Sequence, residues 1–424
     1  MSSVDLPSVA TMLNVPYAGP ALAINKFEID SRRIESGDVF IAVPGARVDG
    51  HDYVDAAVER GAIAALVERP VEAAIPVLEV ADCIEALSAI GRENRRAFSG
   101  IVVAITGSCG KTSVKNMCRA VFSEAGETLA TPGNYNNEIG VPLTLTRISD
   151  STQFAIIEMG AAGSGHIAHL CSLAKPDLST VLNAMEAHLD GFGSVAQVAD
   201  MKAEIFDALG ANDTAILNID QPWAELWRKR IEASGAALMT YSLSGHADLW
   251  IDGLAEQGLN GSVLQLHTRE EAQRVHLPQP GLHSVANALA ASALAAAAGL
   301  SLDQIVAGLE RAESESGRLQ TRRLQNGATV IDDTYNANPG SVRAAIDLLA
   351  KIPGKNLLIL GEMLELGVES APLHREMGQR ARDRGLAGFV GVGAALEDAV
   401  RAFGQTGAWF ADKAAARAGA GLGD

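Results

Sequence analysis

A glycine-rich loop is the strongest chemical signal in this chain of 424 residues. Residues 106–113 read Thr-Gly-Ser-Cys-Gly-Lys-Thr-Ser and join a β-branched run to a helical pattern. Glycine lets backbone amides approach phosphate, lysine brings positive charge to the β- and γ-phosphates, and threonine can bind Mg²⁺. Ile105 stands where the common pattern has its first glycine. A phosphate-binding loop is therefore predicted at Gly107, Ser108, Cys109, Gly110, Lys111, Thr112 and Ser113.

Two residues further along the chain have the chemistry of a metal site. Glu158 lies inside the apolar run 155–159. Because a lone buried carboxylate is costly, we expect a cation beside it. His188 follows a predicted strand ending at Asn183, at the sheet edge where ligands of open α/β folds bind, so its imidazole could bind the same metal. A glutamate reaching solvent near Gly160 and a structural histidine are the alternative readings.

Lys202 and the segment 332–339 are weaker signals. Lys202 belongs to a helical pattern in which Ile205 and Phe206 face the core, and it could point toward the site, although an exposed lysine is the ordinary reading. The segment 332–339 ends a strand and opens a helix. Its two acids and three hydrogen-bonding side chains exceed what a turn requires, which favours a functional role.

The chain has four cysteines, too few and too scattered for a disulfide framework or a zinc site. Cys83, Cys118 and Cys171 are predicted to be free thiols. Cys109 is also predicted free, but it lies between loop glycines, beside Lys111 and before a helix. That position predicts a lowered thiol pKa, and an inert space-filling cysteine is the alternative.

The elements that must position these side chains form three predicted α/β domains. Residues 1–98 show short strands at 39–43 and 64–67 around a helix at 53–60. Residues 99–313 show strands at 101–106, 154–159, 178–183 and 214–219 with helices between them, which predicts a mainly parallel sheet. Antiparallel hairpins are expected within 247–275, and Ser301 with Gln304 predicts a capped helix at 302–310.

The third unit, residues 314–424, alternates strand and helix. Strands are predicted at 329–331, 356–360 and 388–392, and helices at 339–350 and 374–384. This order predicts a doubly wound, Rossmann-like sheet.

Composition limits the class of protein. Lys and Arg number 34 against 51 Asp and Glu, a formal charge of −17, which argues against a nucleic-acid scaffold and requires anionic substrates to be held by local groups.

No Lys or Arg precedes Lys26, so a secretory signal is not expected. The longest apolar run, 286–300, is short for a membrane span. We expect a cytoplasmic protein without a membrane span, and a monomer because no aromatic-rich apolar patch is evident.

Taken in order, the motifs resemble the Mur ligase family. The resemblance is carried by the phosphate loop and by several other segments, which together cover nearly the whole chain: 133–142, 157–160, 188–193, 281–287 and 332–341, with 30–32, 36–40 and 49–51 in the first domain. Within the family, the motifs are most similar to those of members that add D-alanyl-D-alanine.

The resemblance implies an ATP-dependent amide ligase. ATP would phosphorylate the terminal carboxylate of a UDP-N-acetylmuramoyl tripeptide, and the amine of D-alanyl-D-alanine would attack the acyl phosphate. A carboxylate is a poor electrophile and phosphorylation supplies a leaving group, while Lys111 and Mg²⁺ offset the developing charge. The implied cofactors are ATP and Mg²⁺.

Family roles transfer residue by residue. Lys111 and Thr112 would hold ATP phosphates and Mg²⁺, Glu158 and His188 a second Mg²⁺, and Lys202 would carry a carbamate. The remaining implied contacts are Asn287, Arg318 and Asp333 for the nucleotide, Asp30, Ser31 and Arg32 for the UDP portion, and Asn136, Asn137, Tyr335, Asn336 and Asn338 for the substrate.

Three alternatives stay open at this point. The chain could be a Mur ligase that adds the third amino acid, a folylpolyglutamate synthetase, or an inactive nucleotide-binding homologue. The first usually has an Asp-Asn-Pro-Arg signature that is not found here. The inactive alternative is raised by the end of the sequence at Asp424, where the family continues through another strand. The C-terminal domain is expected to lack that strand.

Overall fold

The computed structural model describes residues 4–45, 48–186 and 193–419. Each of the three predicted units contains its own β-structure, within residues 27–79, 101–277 and 320–410. The predicted α/β class with a mainly parallel central sheet is confirmed. The boundaries at 98/99 and 313/314 stay a prediction.

The N-terminal unit is a small parallel sheet with helices against it. Its strands pair in chain order, β1-β2-β3-β4, and all three pairings are parallel. The strands are β1 (Phe27–Glu28), β2 (Val39–Ile41), β3 (Ala64–Val67) and β4 (Val77–Glu79). The helices are Leu6–Met12, Val54–Glu59 and Cys83–Ala97, with short 3₁₀ turns at Ser31–Arg33 and Gly50–Tyr53.

The central unit is built on nine strands: β5 (Ile101–Thr106), β6 (Thr128–Ala130), β7 (Phe154–Glu158), β8 (Leu178–Val181), β9 (Thr214–Asn218), β10 (Ala237–Ser242), β11 (Leu249–Glu256), β12 (Ser262–His267) and β13 (Ala272–Leu277). Their order is β13-β12-β11-β10-β9-β8-β5-β7-β6. β5 lies between β8 and β7 and is parallel to both, so its carboxyl end meets theirs. The predicted hairpins are confirmed as the antiparallel β11-β12-β13 edge.

Helices cover both faces of this sheet: Lys111–Phe122, Gly140–Leu145, His166–Ala174, Val195–Lys202, Glu204–Asp207, Ala224–Ser234, Leu282–Ala297 and Leu302–Arg311. Alternate β5 residues enter different cores, with Val103 and Ile105 on one side and Val102 and Ala104 on the other. This two-sided burial explains why residues 101–105 of β5 are all apolar. Ser301 forms the predicted capping box. Among the described residues, no helix has the length and apolar character needed to cross a bilayer.

The C-terminal unit contains three parallel strands in sequential order, β16 (Leu357–Gly361), β17 (Gly388–Val392) and β18 (Gly407–Phe410). Its helices are Pro339–Lys351, Ser370–Asp383, Glu397–Phe403 and Lys413–Gly419. The predicted strand at 329–331 forms, as β15 (Thr329–Asp332), but it pairs antiparallel with β14 (Gln320–Arg323). Its backbone groups are thus used by a local hairpin, which strand propensity alone does not reveal.

Candidate active site

The phosphate loop is held open by an asparagine at the end of the neighbouring strand. The amide of Cys109 donates to Asn183 Oδ1 (2.9 Å), and Asn183 Nδ2 donates to the Cys109 carbonyl (3.1 Å). The Ser108 amide donates to the Asn183 carbonyl (3.1 Å). These three hydrogen bonds hold the loop backbone from the β8 side.

Gly110 is required at the start of the helix Lys111–Phe122. Its φ is +82°, a left-handed conformation that residues with a side chain rarely adopt. A β-carbon there would come within 2.6 Å of Asn287 Oδ1. The loop and the helix Leu282–Ala297 therefore approach each other closely, which brings the predicted nucleotide contact Asn287 to the loop.

Two lysines converge on the loop. Lys111 Nζ folds back and donates to the Gly107 carbonyl (2.8 Å). Lys202, at the end of the helix Val195–Lys202, is only 4% exposed. Burial, together with the nearby charge of Lys111, lowers the pKa of Lys202 to about 7. Among the described residues, no carboxylate forms an ion pair with Lys202, and only Cys109 opposes the lowering of its pKa.

Glu158 is buried at the end of β7, as its apolar neighbours predict. Its Oε1 accepts from Asn136 Nδ2 (2.8 Å), while its buried Oε2 has no hydrogen-bond partner. The expected cation is present as a side chain: Lys115 Nζ lies 3.8 Å from Oε2 and donates to the Gly133 carbonyl (2.8 Å). Burial lowers the pKa of Lys115, and the charge of Glu158 opposes that effect.

The unpartnered Glu158 oxygen fits a magnesium ligand. Among the described residues, no group of three or more His, Cys, Asp or Glu side chains is arranged to hold a metal. A single carboxylate with an unpartnered oxygen suits Mg²⁺, which usually takes one or two carboxylates and completes its shell with water and phosphate oxygens. Thr112, the other described candidate, accepts a hydrogen bond from Arg318 Nη2 (2.9 Å). His188 lies outside the described residues.

The C-terminal unit reaches into the same site. Besides its bond to Thr112, the Arg318 guanidinium stacks 4.0 Å from the centre of the Tyr335 ring. Asp333 Oδ1 accepts from the Leu319 amide (3.3 Å), and burial raises the pKa of the Asp333 carboxyl. Asn338 caps the helix Pro339–Lys351 by accepting from the Ser341 amide (2.9 Å).

Most of the predicted residues line two cavities that share the phosphate loop. A cavity of about 330 Å³ is lined by Lys111, Thr112, Asn136, Asn137, Glu158, Lys202, Arg318, Asp333, Tyr335, Asn336 and Asn338, among others. The second, of about 410 Å³, is lined by Ser113, Asn287, Arg318 and Asp333 together with Asn183 and Tyr241. Residues from the central and C-terminal units therefore enclose one continuous set of candidate groups.

The predicted UDP contacts lie apart from these cavities, in the N-terminal unit. Arg32 forms a two-pronged ion pair with Asp30, Nε to Oδ1 at 2.9 Å and Nη2 to Oδ2 at 2.8 Å. The Arg32 hydrogen bonds lower the pKa of Asp30. Ser31 is buried, whereas the Arg32 side chain is 83% exposed. Arg33 donates to Tyr135 Oη (3.2 Å), which links this unit to the loop carrying Asn136.

The expectation of an acidic Cys109 thiol is wrong. Burial raises the pKa of Cys109, and this effect outweighs the opposing influence of Asn338 and Lys111. Its Sγ lies 3.0 Å from Asn338 Nδ2, so the thiol is covered by the C-terminal unit. Proximity to glycines and a lysine does not reveal that another domain contacts the thiol.

Three family profiles match the chain in succession. They are the Mur ligase family catalytic domain at residues 23–95, the Mur ligase middle domain at 105–295, and the Mur ligase glutamate ligase domain at 317–420. The chain is also 39% identical, over 98% of its length and 91% of the relative's, to the UDP-N-acetylmuramoyl-tripeptide–D-alanyl-D-alanine ligase of Escherichia coli strain K12. The chain belongs to the Mur ligase family. It is accordingly an ATP-dependent, ADP-forming ligase.

Solved structures agree with this Mur ligase assignment. MurF from Acinetobacter baumannii superposes with a TM-score of 0.88 at 33% identity, covering 97% of this chain and 90% of that one. The MurF ligase of Thermotoga maritima in complex with ADP superposes with a TM-score of 0.77 at 28% identity, covering 91% and 87%.

Two residues of this Mur ligase site escaped the sequence argument. The sequence pattern places Asn183 only at the end of a strand and does not single out Lys115. Lys115 follows Lys111 by four residues, which places both on one helix face. That spacing, combined with the need for a cation at Glu158, was the available signal for Lys115. Asn183 carried no comparable signal.

Proposed function

We propose that this Mur ligase joins D-alanyl-D-alanine to UDP-N-acetylmuramoyl tripeptide at the expense of ATP. The products are the UDP-N-acetylmuramoyl pentapeptide, ADP and phosphate, which makes the enzyme part of peptidoglycan synthesis. The observation that carries the proposal is that Lys111, Glu158 and Lys202 line one cavity with Arg318 and Asp333 of another domain. The similarity to enzymes of this name over nearly the full chain supports the choice of substrates.

We assign ATP to the two cavities that share the loop. Loop amides and Lys111 would hold the phosphates, and the neighbouring cavity beside Asn287 would take the nucleoside. Arg318 and Asp333 line both cavities and so suit the region between them. Thr112, Glu158 and His188 would hold Mg²⁺, which when bound offsets negative charge on the phosphate oxygens.

Lys202 is proposed to carry a carbamate. A pKa of about 7 leaves roughly half of the amine neutral at pH 7, against about one part in 3000 for an ordinary lysine. The neutral amine is the form that adds CO₂, giving an N–COO⁻ group and releasing a proton. Such an anion would remove the repulsion between Lys202 and Lys111 and would add carboxylate oxygens near the metal-binding residues.

The chain's own residues support both chemical steps. In the first, a tripeptide carboxylate oxygen attacks the γ-phosphorus and the bond to the ADP oxygen breaks; Lys111 and Arg318 would stabilise the charge on the transferring group. In the second, the D-alanyl-D-alanine amine attacks the acyl carbon, loses a proton and expels phosphate. Asn136, Asn137, Tyr335, Asn336 and Asn338 are assigned to substrate positioning, and Asp30, Ser31 and Arg32 to the UDP portion.

The decisive experiment measures phosphate release from ATP with matched substrate pairs. The full chain is supplied with UDP-N-acetylmuramoyl tripeptide and D-alanyl-D-alanine, with the UDP-linked dipeptide and meso-diaminopimelate, or with a folate and glutamate. We expect release only with the first pair, and none from a Lys111→Met variant that still folds. Release only with another pair would reassign the substrate, and ATP binding without release for any pair would support the inactive alternative.

The monomeric state and the cytoplasmic location stay predictions. Sedimentation of the purified chain and fractionation of cells that produce it test them directly.

A further inference from the structure

Lys115 is a buried lysine that the proposed reaction does not use. It lies on the helix that begins with the phosphate-loop lysine, and its side chain is 2% exposed. Its ammonium donates a hydrogen bond to the Gly133 carbonyl (2.8 Å) and lies 3.8 Å from Glu158 Oε2. A buried lysine is costly unless charge and hydrogen bonds compensate, so this position needs an explanation.

The two carboxylate oxygens of Glu158 have different surroundings. One carboxylate oxygen is satisfied by Asn136, and the other has no hydrogen bond. At 3.8 Å the Lys115 ammonium is too far for a hydrogen bond but close enough for strong Coulomb attraction in a buried setting. The charge of this oxygen is therefore offset while its hydrogen-bonding capacity stays unused, and Glu158 is one of the residues that line the cavity of about 330 Å³.

We propose that Lys115 is the built-in counter-ion of Glu158 and that it sets how tightly the site binds Mg²⁺. It is a positioning residue, since it lines neither cavity and acts through Glu158 and the Gly133 carbonyl. Without metal, the ammonium is the counter-charge of the buried carboxylate and helps to hold it in place. With metal, the two cations share one carboxylate, so Lys115 weakens Mg²⁺ binding and keeps it reversible. The inference rests on the proposed role of Glu158 as a metal ligand.

The hydrogen bond to the Gly133 carbonyl also links Lys115 to the loop that carries Asn136. Gly133 opens the loop that carries Asn136, and the Gly160 amide donates to the Asn136 carbonyl (2.8 Å). Lys115 thus connects the phosphate-loop helix, the metal carboxylate and the substrate loop. Two substitutions separate its charge from its hydrogen bond: Lys115→Gln can still donate to the Gly133 carbonyl, whereas Lys115→Met loses both functions.

The test measures thermal unfolding of the full chain in metal-free buffer and along a MgCl₂ titration without nucleotide. In metal-free buffer, Lys115→Gln and Lys115→Met should lower Tm by roughly 5 °C, because Glu158 is left buried and unpaired. Both variants should nevertheless bind Mg²⁺ at least about threefold more tightly than the wild type, because a positive charge beside the ligand has been removed. A purely structural defect would not tighten metal binding.

Lys26→Met is the matched control. Lys26 pairs with Glu35 (2.7 Å) and the buried Asp38 (3.4 Å) in the N-terminal unit. It removes a lysine from a buried carboxylate without touching the site, so Tm should fall while the Mg²⁺ midpoint stays unchanged.

Glu158→Gln and the double variant Lys115→Gln/Glu158→Gln separate this inference from the proposed metal site. In metal-free buffer the double variant should lose less stability than the sum of the two single losses. Additive losses, or Lys115→Gln binding Mg²⁺ no more tightly than wild type, would overturn the role of Lys115. Unchanged Mg²⁺ binding in Glu158→Gln would instead overturn the metal assignment under the proposed function.

Discussion

Replacing Lys202 by methionine should make the protein more stable and inactive. Lys202 is 4% exposed and its pKa is lowered from 10.5 to about 7, first by burial and then by Lys111. Methionine keeps the unbranched apolar stem and removes the amine. The substitution therefore preserves most of the packing and removes the cost of holding a cationic group in this site.

The size and sign of the effect follow from proton linkage. The unfolded chain binds a proton at Lys202 up to pH 10.5, and the folded chain only up to about pH 7. The destabilisation is therefore fully present below pH 7 and is relieved as the pH rises from 7 toward 10.5. At 1.36 kcal/mol per pKa unit, Lys202 costs up to about 5 kcal/mol at pH 6 and about 2 kcal/mol at pH 9. The Lys202→Met advantage should shrink by about 3 kcal/mol across that range.

Urea unfolding at pH 6 and pH 9 in CO₂-depleted buffer measures this advantage. Lys229→Met, at an exposed position on the helix Ala224–Ser234, is the control and should change the unfolding free energy by less than about 0.5 kcal/mol at both pH values. Lys202→Met should also lose turnover, and added bicarbonate should not restore it. A Lys202→Met advantage independent of pH would refute the buried-amine argument, and near-wild-type turnover would refute the carbamate assignment.

Three further results are expected. Gly110→Ala should raise the Kd for ATP at least about tenfold, measured by calorimetry, because the β-carbon meets Asn287 in a left-handed backbone; unchanged affinity would refute this. Arg343→Met breaks the salt bridge from Arg343 Nη1 to Glu186 of the central unit (3.0 Å) and should raise the KM for ATP roughly fivefold. Arg380→Met breaks a salt bridge to Asp347 within the C-terminal unit and should leave the KM for ATP unchanged. Alkylation of Cys109 should be slow at pH 7 and slower still with Mg-ATP; equal rates would mean that nucleotide does not cover the thiol.

The local elements of the central unit were predictable because each depends on a short stretch of sequence. β5 forms over residues 101–106 as expected, since a nearly continuous β-branched run suits a strand buried on both faces. The capped helix after Ser301 likewise needs only a serine and a glutamine at fixed spacing. The phosphate loop adds a glycine requirement that the positive φ of Gly110 explains.

Contacts between distant segments were not predictable in the same way. Burial raises the Cys109 pKa, and Asn338, which contacts the thiol, is 229 residues away and belongs to another domain. The partner of Glu158 was expected to be a metal, and the structure supplies Lys115 as well. Lys202 would have passed for a surface lysine without the family resemblance. For Glu158 the sequence identifies a buried charge that needs a partner, while the tertiary arrangement determines which group supplies it.

Local charge also reconciles the acidic chain with its anionic substrates. The formal charge is −17, yet Lys111, Lys202 and Arg318 line one cavity of about 330 Å³, with Lys115 behind its Glu158 wall. Charged groups in contact attract one another strongly. Charges farther apart than the Debye length, which is about 8 Å in physiological salt, are screened by the solution. We therefore expect phosphate binding to depend on Lys111 and Arg318. Because a protonated Lys202 would repel Lys111, converting Lys202 to an anion would remove that repulsion.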